Sequence, residues 1–243
     1  MPAGAAVARD EPTAVTYLDL YCERLGPGLL AEPLNAITNA GFFLAAWLAL
    51  TTARLRGLGS RQLRILLALA VAIGIGSALF HTFATPWARV LDESPILLFQ
   101  LLFMWMYLRR GIGAPRWVAA GGIVGYLAGA LYCRQFPHLL NGSLVYAPAL
   151  ALTVSLGVYH WLDRKPERWL LLAASVTLAA AVFLRILDAS VCDRFPIGTH
   201  FLWHLLVAAV IYLSLRALVL GWRPPRRHAG ADSGLRDQPL DRT

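Results

Sequence analysis

The sequence predicts an all-α integral membrane protein: a seven-transmembrane-helix bundle with its N-terminus outside and its C-terminus in the cytoplasm. Three observations predict it. Of 243 residues, 58% are apolar and only 15% charged, and the mean hydropathy is positive, a composition far from that of a soluble domain. Seven apolar segments approach the length of about 20 residues that crosses a bilayer. The basic residues also collect on one side of these segments when the segments alternate in direction. A chain of this length holds one such bundle and little else.

Taken in order, residues 1–34 form an N-terminal extracytoplasmic segment. Its first 16 residues are small and charged, read as disordered, and no apolar core marks a cleavable signal peptide. Residues 35–220 carry the apolar segments, at 35–53, 65–83, 91–108, 117–132, 144–162, 169–187 and 200–220. The third and fourth are the shortest. Ser94-Pro95 suits the N-terminal turn of the third, and Pro196-Ile197-Gly198-Thr199 leads into the seventh. Pro148 lies near the start of the fifth, where a missing backbone donor costs little. Residues 221–243 are polar, with Pro, Gly and Arg, and read as a disordered basic cytoplasmic tail.

The net charge of +8 is a topology signal rather than a nucleic-acid patch, so no nucleic acid is expected as a partner. Arg54, Arg56, Arg61 and Arg64 flank the first inter-helix loop. Arg109, Arg110 and Arg116 flank the third, Arg164, Lys165 and Arg168 the fifth, and Arg223, Arg226 and Arg227 follow the last segment. All four clusters fall on one side. The other side has only scattered arginines, including Arg24, Arg89 and Arg134. Cys22, Cys133 and Cys192 map to this outer side, where an oxidising compartment permits disulfides. A Cys22–Cys192 bridge and three unpaired cysteines are both compatible with the sequence.

The outer mouth of the bundle also collects the residues with chemistry. His200 and His204 lie four apart, on one face of a helix, so that two imidazoles can share one metal ion. Ser77 and His81 repeat the spacing near the end of the second segment, and Asp92 and Glu93 open the third. Arg185 and Asp188 close the sixth. An ionisable group inside a membrane is a functional hypothesis by default. Three imidazoles leave a fourth position of zinc open, the arrangement of catalytic sites, where zinc lowers the pKa of water to roughly 7. Asp92 is placed to accept a proton, and Ser77 to hydrogen-bond a developing oxyanion. Asp188 either orients a histidine ligand or neutralises Arg185. His160 reads as an interfacial belt residue. The N-terminal carboxylates Asp19, Glu23 and Glu32 suit a hard cation such as Ca2+, although a solvated, helix-capping linker explains them as well.

These residues together resemble the alkaline ceramidases, seven-helix membrane amidases of the superfamily that includes adiponectin receptors and hemolysin-III-like proteins. The resemblance rests on Cys22-Glu23 with Glu32 and Asn35, Gly76-Ser77-x3-His81, Leu91-Asp92-Glu93-x-Pro95 and His200-x3-His204, extending from Asp19 to Leu220. It implies a Zn2+ ion held by His81, His200 and His204, with Asp92 as proton acceptor and Ser77 as transition-state stabiliser. It also implies a disulfide between Cys22 and Cys192 and a Ca2+ site whose nearest counterparts are Asp19, Glu23 and Glu32. There the chain departs from the pattern: Asp19 lies one residue further from the cysteine, Leu25 stands where an asparagine would fall, and the Glu-to-Glu spacing is shorter.

The implied activity is zinc-dependent hydrolysis of a ceramide-like membrane lipid to a sphingoid base and a free fatty acid. The alternatives are a related lipid hydrolase acting on another amide or ester, or a non-catalytic heptahelical receptor or transport protein with a structural metal. The Arg- and Ala-rich composition suggests a bacterial inner membrane, with the active site toward the extracytoplasmic face. Oligomeric state is left open.

Overall fold

In a computed structural model, residues 17–222 are described. The expected disorder of residues 1–16 and 223–243 lies outside the described residues. The chain runs as α1 (Pro33–Thr38), α2 (Ala40–Leu55), α3 (Arg61–Phe83) and α4 (Pro86–Met106), the last continuing into a π-helical stretch, Tyr107–Ile112. Then come α5 (Arg116–Cys133), a 3-10 stretch at Leu139–Tyr146, α6 (Ala147–Leu162), α7 (Leu170–Val191) and α8 (His200–Leu220). Among the described residues, six helical stretches are long and apolar enough to cross a membrane. The helix α5 falls short of that measure, because Arg116 and the glycines at 121, 122, 125 and 129 dilute an 18-residue span.

The bundle is built around α8. More than half of its apolar window, 56%, is buried, against 17% for the span 139–162. It packs on α7 and α2, while α3 packs on α4 and α6 on α7. Leu66, Leu171, Leu215 and Leu218 fill the centre with no exposure. Trp47, Val124, Val176 and Phe183 face outward, an apolar surface suited to lipid.

The turn between α3 and α4 decides where the site lies. Ser60 caps the start of α3 by accepting from the Leu63 N–H at 3.2 Å. At the other end Ala84 adopts a left-handed conformation, φ 49°, and stops the helix. Pro86 then begins α4, at a position where its missing N–H costs nothing. The third span therefore starts at Pro86, not at the Ser94-Pro95 turn the sequence suggested, and Pro95 lies inside the helix. Without an N–H on Pro95, the Leu91 carbonyl lacks its helical donor. That carbonyl turns to α3, where a Cβ added at Gly76 would stand 2.1 Å from it. Small residues permit such close helix contact in membranes. Gly76→Ala is therefore expected to force α3 and α4 apart and destabilise the bundle by about 1–3 kcal/mol. The check is the thermal unfolding midpoint in detergent; an unchanged midpoint would refute this account of the contact.

At the opposite end, where the basic clusters gather, His160 is fully buried rather than in an interfacial belt. The Tyr107 hydroxyl lies 2.6 Å from its Nδ1, and its Nε2 lies 3.2 Å from the Pro166 carbonyl. Lys165 donates to the Gly111 carbonyl at 2.9 Å, satisfying an acceptor at the end of the π-helical stretch. Burial of so polar a cluster is possible because each of these groups finds a partner.

Candidate metal and hydrolytic site

Alternation of the helices brings the C-terminal end of α3 beside the N-terminal ends of α4 and α8. His81, His200 and His204 meet there, each at most 2% exposed. One nitrogen from each lies within 4.8 Å of the others, and this is the metal-capable group of three among the described residues. The rings are aimed by partners. His81 Nδ1–H donates to Glu32 Oε2 at 2.5 Å, leaving Nε2 buried with no protein partner. Thr38 donates its own hydroxyl proton to the Leu34 carbonyl at 2.8 Å. Its oxygen is thus free to accept from His204 Nδ1–H at 3.0 Å. His200 Nδ1 is likewise buried without a partner. The unpaired buried nitrogens of His81 and His200 are costly, and three imidazoles gathered this way fit a zinc ion.

Ser77 lies one turn before His81 on α3 and is 3% exposed. The half-buried Asp92 faces both the Ser77 hydroxyl and His81. Glu93 pairs with Arg89 at 2.7 Å and Arg134 at 3.4 Å, and all three line the cavity described below. Of the two adjacent carboxylates, Asp92 is the one beside Ser77 and His81.

Asp188 acts on the backbone. Its Oδ1 accepts from the N–H groups of Thr199 at 2.6 Å and His200 at 2.9 Å, and Oδ2 from that of Cys22 at 3.1 Å. It thus caps α8 and fixes His200 through the main chain, not through the imidazole. Gly198, at φ +64°, leaves room for it, since a Cβ there would lie 2.2 Å from Oδ1. Arg185 is not its partner and instead donates to the Asn141 carbonyl at 3.0 Å and Ser143 Oγ at 2.7 Å. Cys22 and Cys192 are bonded as a disulfide, which ties the N-terminal segment over this end, and Cys133 is free. Asp188→Ala would orphan three buried N–H groups at about 1–3 kcal/mol each. A fall in the thermal midpoint is expected, together with loss of protection at the start of α8 in hydrogen exchange; no change in either would overturn this role.

Of the N-terminal carboxylates expected to suit a Ca2+ ion, Asp19, Glu23 and Glu32, none belongs to the metal-capable group of three found among the described residues. Asp19 is exposed. Glu23 spends both oxygens on the N–H groups of Leu34, at 2.6 Å, and Asn35, at 2.8 Å, at the start of α1. Glu32 is enclosed by Arg24, Asn35 and His81. Burial pushes its carboxyl up, but the hydrogen bonds from His81, Asn35 and Arg24 outweigh it and hold the group below the usual range.

Three residues of the site escaped the sequence reading. Tyr21 stacks on His200 with ring centroids 3.6 Å apart and lines a cavity of about 700 Å3; burial pushes its phenol up, so it stays protonated. Thr38 and Arg24 are the others. Thr38 lies 166 residues from its histidine, and no local pattern marks it. The cavity runs between α4, α5 and the 3-10 stretch Leu139–Tyr146, with Arg185 of α7 at its wall, and is also lined by Ile96, Leu97, Leu127, Tyr126 and Tyr146.

A family model described as Ceramidase matches residues 22–221. The chain belongs to the ceramidase family. The match spans all three histidines, Ser77, Asp92 and the paired cysteines of this ceramidase-family protein. Membership points to hydrolysis of an amide bond in a lipid. A search of curated proteins finds no match.

Proposed function

We propose that this ceramidase-family protein is a zinc-dependent membrane amidase that cleaves ceramide-like lipids into a sphingoid base and a free fatty acid. One observation carries the reading: three buried imidazoles, two of them aimed by hydrogen-bond partners, converge beside Asp92 and Ser77. His81, His200 and His204 would hold the zinc ion, which supplies Lewis acidity when bound. The remaining chemistry belongs to the chain. Asp92 accepts a proton from the attacking water as its oxygen adds to the amide carbonyl carbon. The Ser77 hydroxyl donates to the carbonyl oxygen as negative charge develops there. Asp92 then returns the proton to the nitrogen as the C–N bond breaks, so that amine and acid leave as separate products.

The cavity supports a lipid substrate. At about 700 Å3 it lies within the range of small-molecule sites, and its apolar wall accommodates a hydrocarbon chain. Tyr21 stands between it and the histidines. In this reading α5 is the fourth of seven spans. The basic clusters at the end opposite the histidines support the same reading, with the N-terminus and the site toward the extracytoplasmic side of a bacterial inner membrane.

The test is hydrolysis of a panel of ceramides, other lipid amides and lipid esters by purified protein, with metal content measured on the same sample. About one zinc per chain, with ceramide turnover lost on chelation and restored by zinc, is the expected result. Zinc without ceramide turnover would overturn the substrate, and absence of metal would overturn the mechanism.

A further inference from the structure

The Arg24 side chain is fully buried, in a segment the reaction above does not use. Four oxygens converge on its guanidinium. Its Nε donates to Glu32 Oε1 at 2.5 Å and its Nη2 to the His81 carbonyl at 2.8 Å. Its Nη1 donates to the carbonyls of Gly26 at 3.1 Å and Gly28 at 3.4 Å. A carboxylate and three backbone carbonyls form the kind of oxygen set that surrounds a hard cation, and here a side chain fills it. The charge balance is local, since a buried guanidinium requires a paired anion and Glu32 supplies it. The His81 carbonyl is among the last of α3, at the negative end of the helix, where acceptors lack helical donors.

The consequence reaches the histidines. The other oxygen of Glu32 receives the His81 Nδ1–H at 2.5 Å. Arg24 therefore grips both the carboxylate that aims the His81 ring and the backbone that carries it. Asp19 is exposed and both oxygens of Glu23 are on backbone N–H groups, so neither of these two carboxylates is gathered with Glu32 around a second metal.

We propose that Arg24 is a positioning residue, a built-in cation that holds Glu32 on His81 and makes the histidine site independent of calcium. The inference rests on the metal reading only in taking His81 as a zinc ligand. An Arg-to-Lys change keeps the charge but not the fork of donors, so the two contributions can be separated.

The experiment measures zinc affinity of the purified full-length protein by competition with a chelator, with calcium added or withheld. It also measures the thermal midpoint of the metal-free protein with and without calcium. Calcium is expected to change neither in the wild type. Arg24→Met should weaken zinc binding about 10–100-fold, the usual effect of losing a group that supports a ligand, and Arg24→Lys should recover a substantial part of it. Calcium-dependent zinc affinity or stability in the wild type would overturn the proposal, as would wild-type zinc affinity in Arg24→Met or a lysine variant no better than methionine. If Arg24→Met does not fold, Glu32→Gln takes its place, with the same loss expected and wild-type affinity overturning the proposal. If the wild type binds no zinc, the proposed metal chemistry fails separately, and the calcium dependence of the midpoint decides this inference.

Discussion

Alanine at His204 is expected to strip the purified protein of stoichiometric zinc and reduce lipid amide hydrolysis to the level of the chelated wild type. His204 lies one turn beyond His200 on α8, is 2% exposed, and has its ring fixed by Thr38. Its removal leaves two imidazoles from different helices, one short of the three protein ligands of a catalytic zinc site. Because the residue is buried, loss of function must be separated from loss of fold. Expression, elution as a single species in detergent and the thermal midpoint of the metal-free protein are therefore compared in parallel. Wild-type turnover in a folded, zinc-free variant would show that the histidines are packing residues and that the reaction, if any, proceeds elsewhere.

Asp92→Asn separates proton transfer from metal binding. Zinc content is expected to persist, while kcat falls by roughly 10²–10⁴-fold, the range for loss of a general acid or base. The substitution keeps the size of the side chain and its ability to hydrogen-bond Ser77, so the helix contact at Gly76 and Leu91 is not disturbed. Ser77→Ala should cost roughly 10²–10³-fold through loss of one donor to the oxyanion. Near-wild-type kcat in Asp92→Asn would remove Asp92 from the mechanism. Loss of zinc in that variant would mean instead that the carboxylate supports the metal, and single-turnover rates after zinc saturation would distinguish the two.

Much of this arrangement follows from local patterns. Runs of apolar residues about 20 long make helices in a membrane because every backbone group must be satisfied within the segment. The four-residue spacing in His200–His204 places both rings on one face whatever the helix packs against. Alternation of direction then sends His81, Asp92 and His200 to one end and the arginine clusters to the other. The start of α4 was less legible. Ser94-Pro95 looks like a helix beginning, yet Pro86 preceded by the left-handed Ala84 is the one used. A proline signal alone does not say whether a carbonyl it frees will find room, and here Gly76 provides that room.

By itself, the sequence determined most of the helical segments, the helix faces that carry the histidines and the end of the bundle where they collect, because these depend on composition and on neighbours within a turn or two. The tertiary structure alone decided the fate of the carboxylates. Glu32 could equally have bound a cation in solvent or capped a helix; it became the hydrogen-bond acceptor of a histidine 49 residues away because folding also brought Arg24 against it. Asp188, three residues from an arginine, instead took three backbone N–H groups from α8 and the N-terminal segment. A buried charge is governed by whichever donors surround it once water has been excluded, and those donors come from parts of the chain that no local spacing connects.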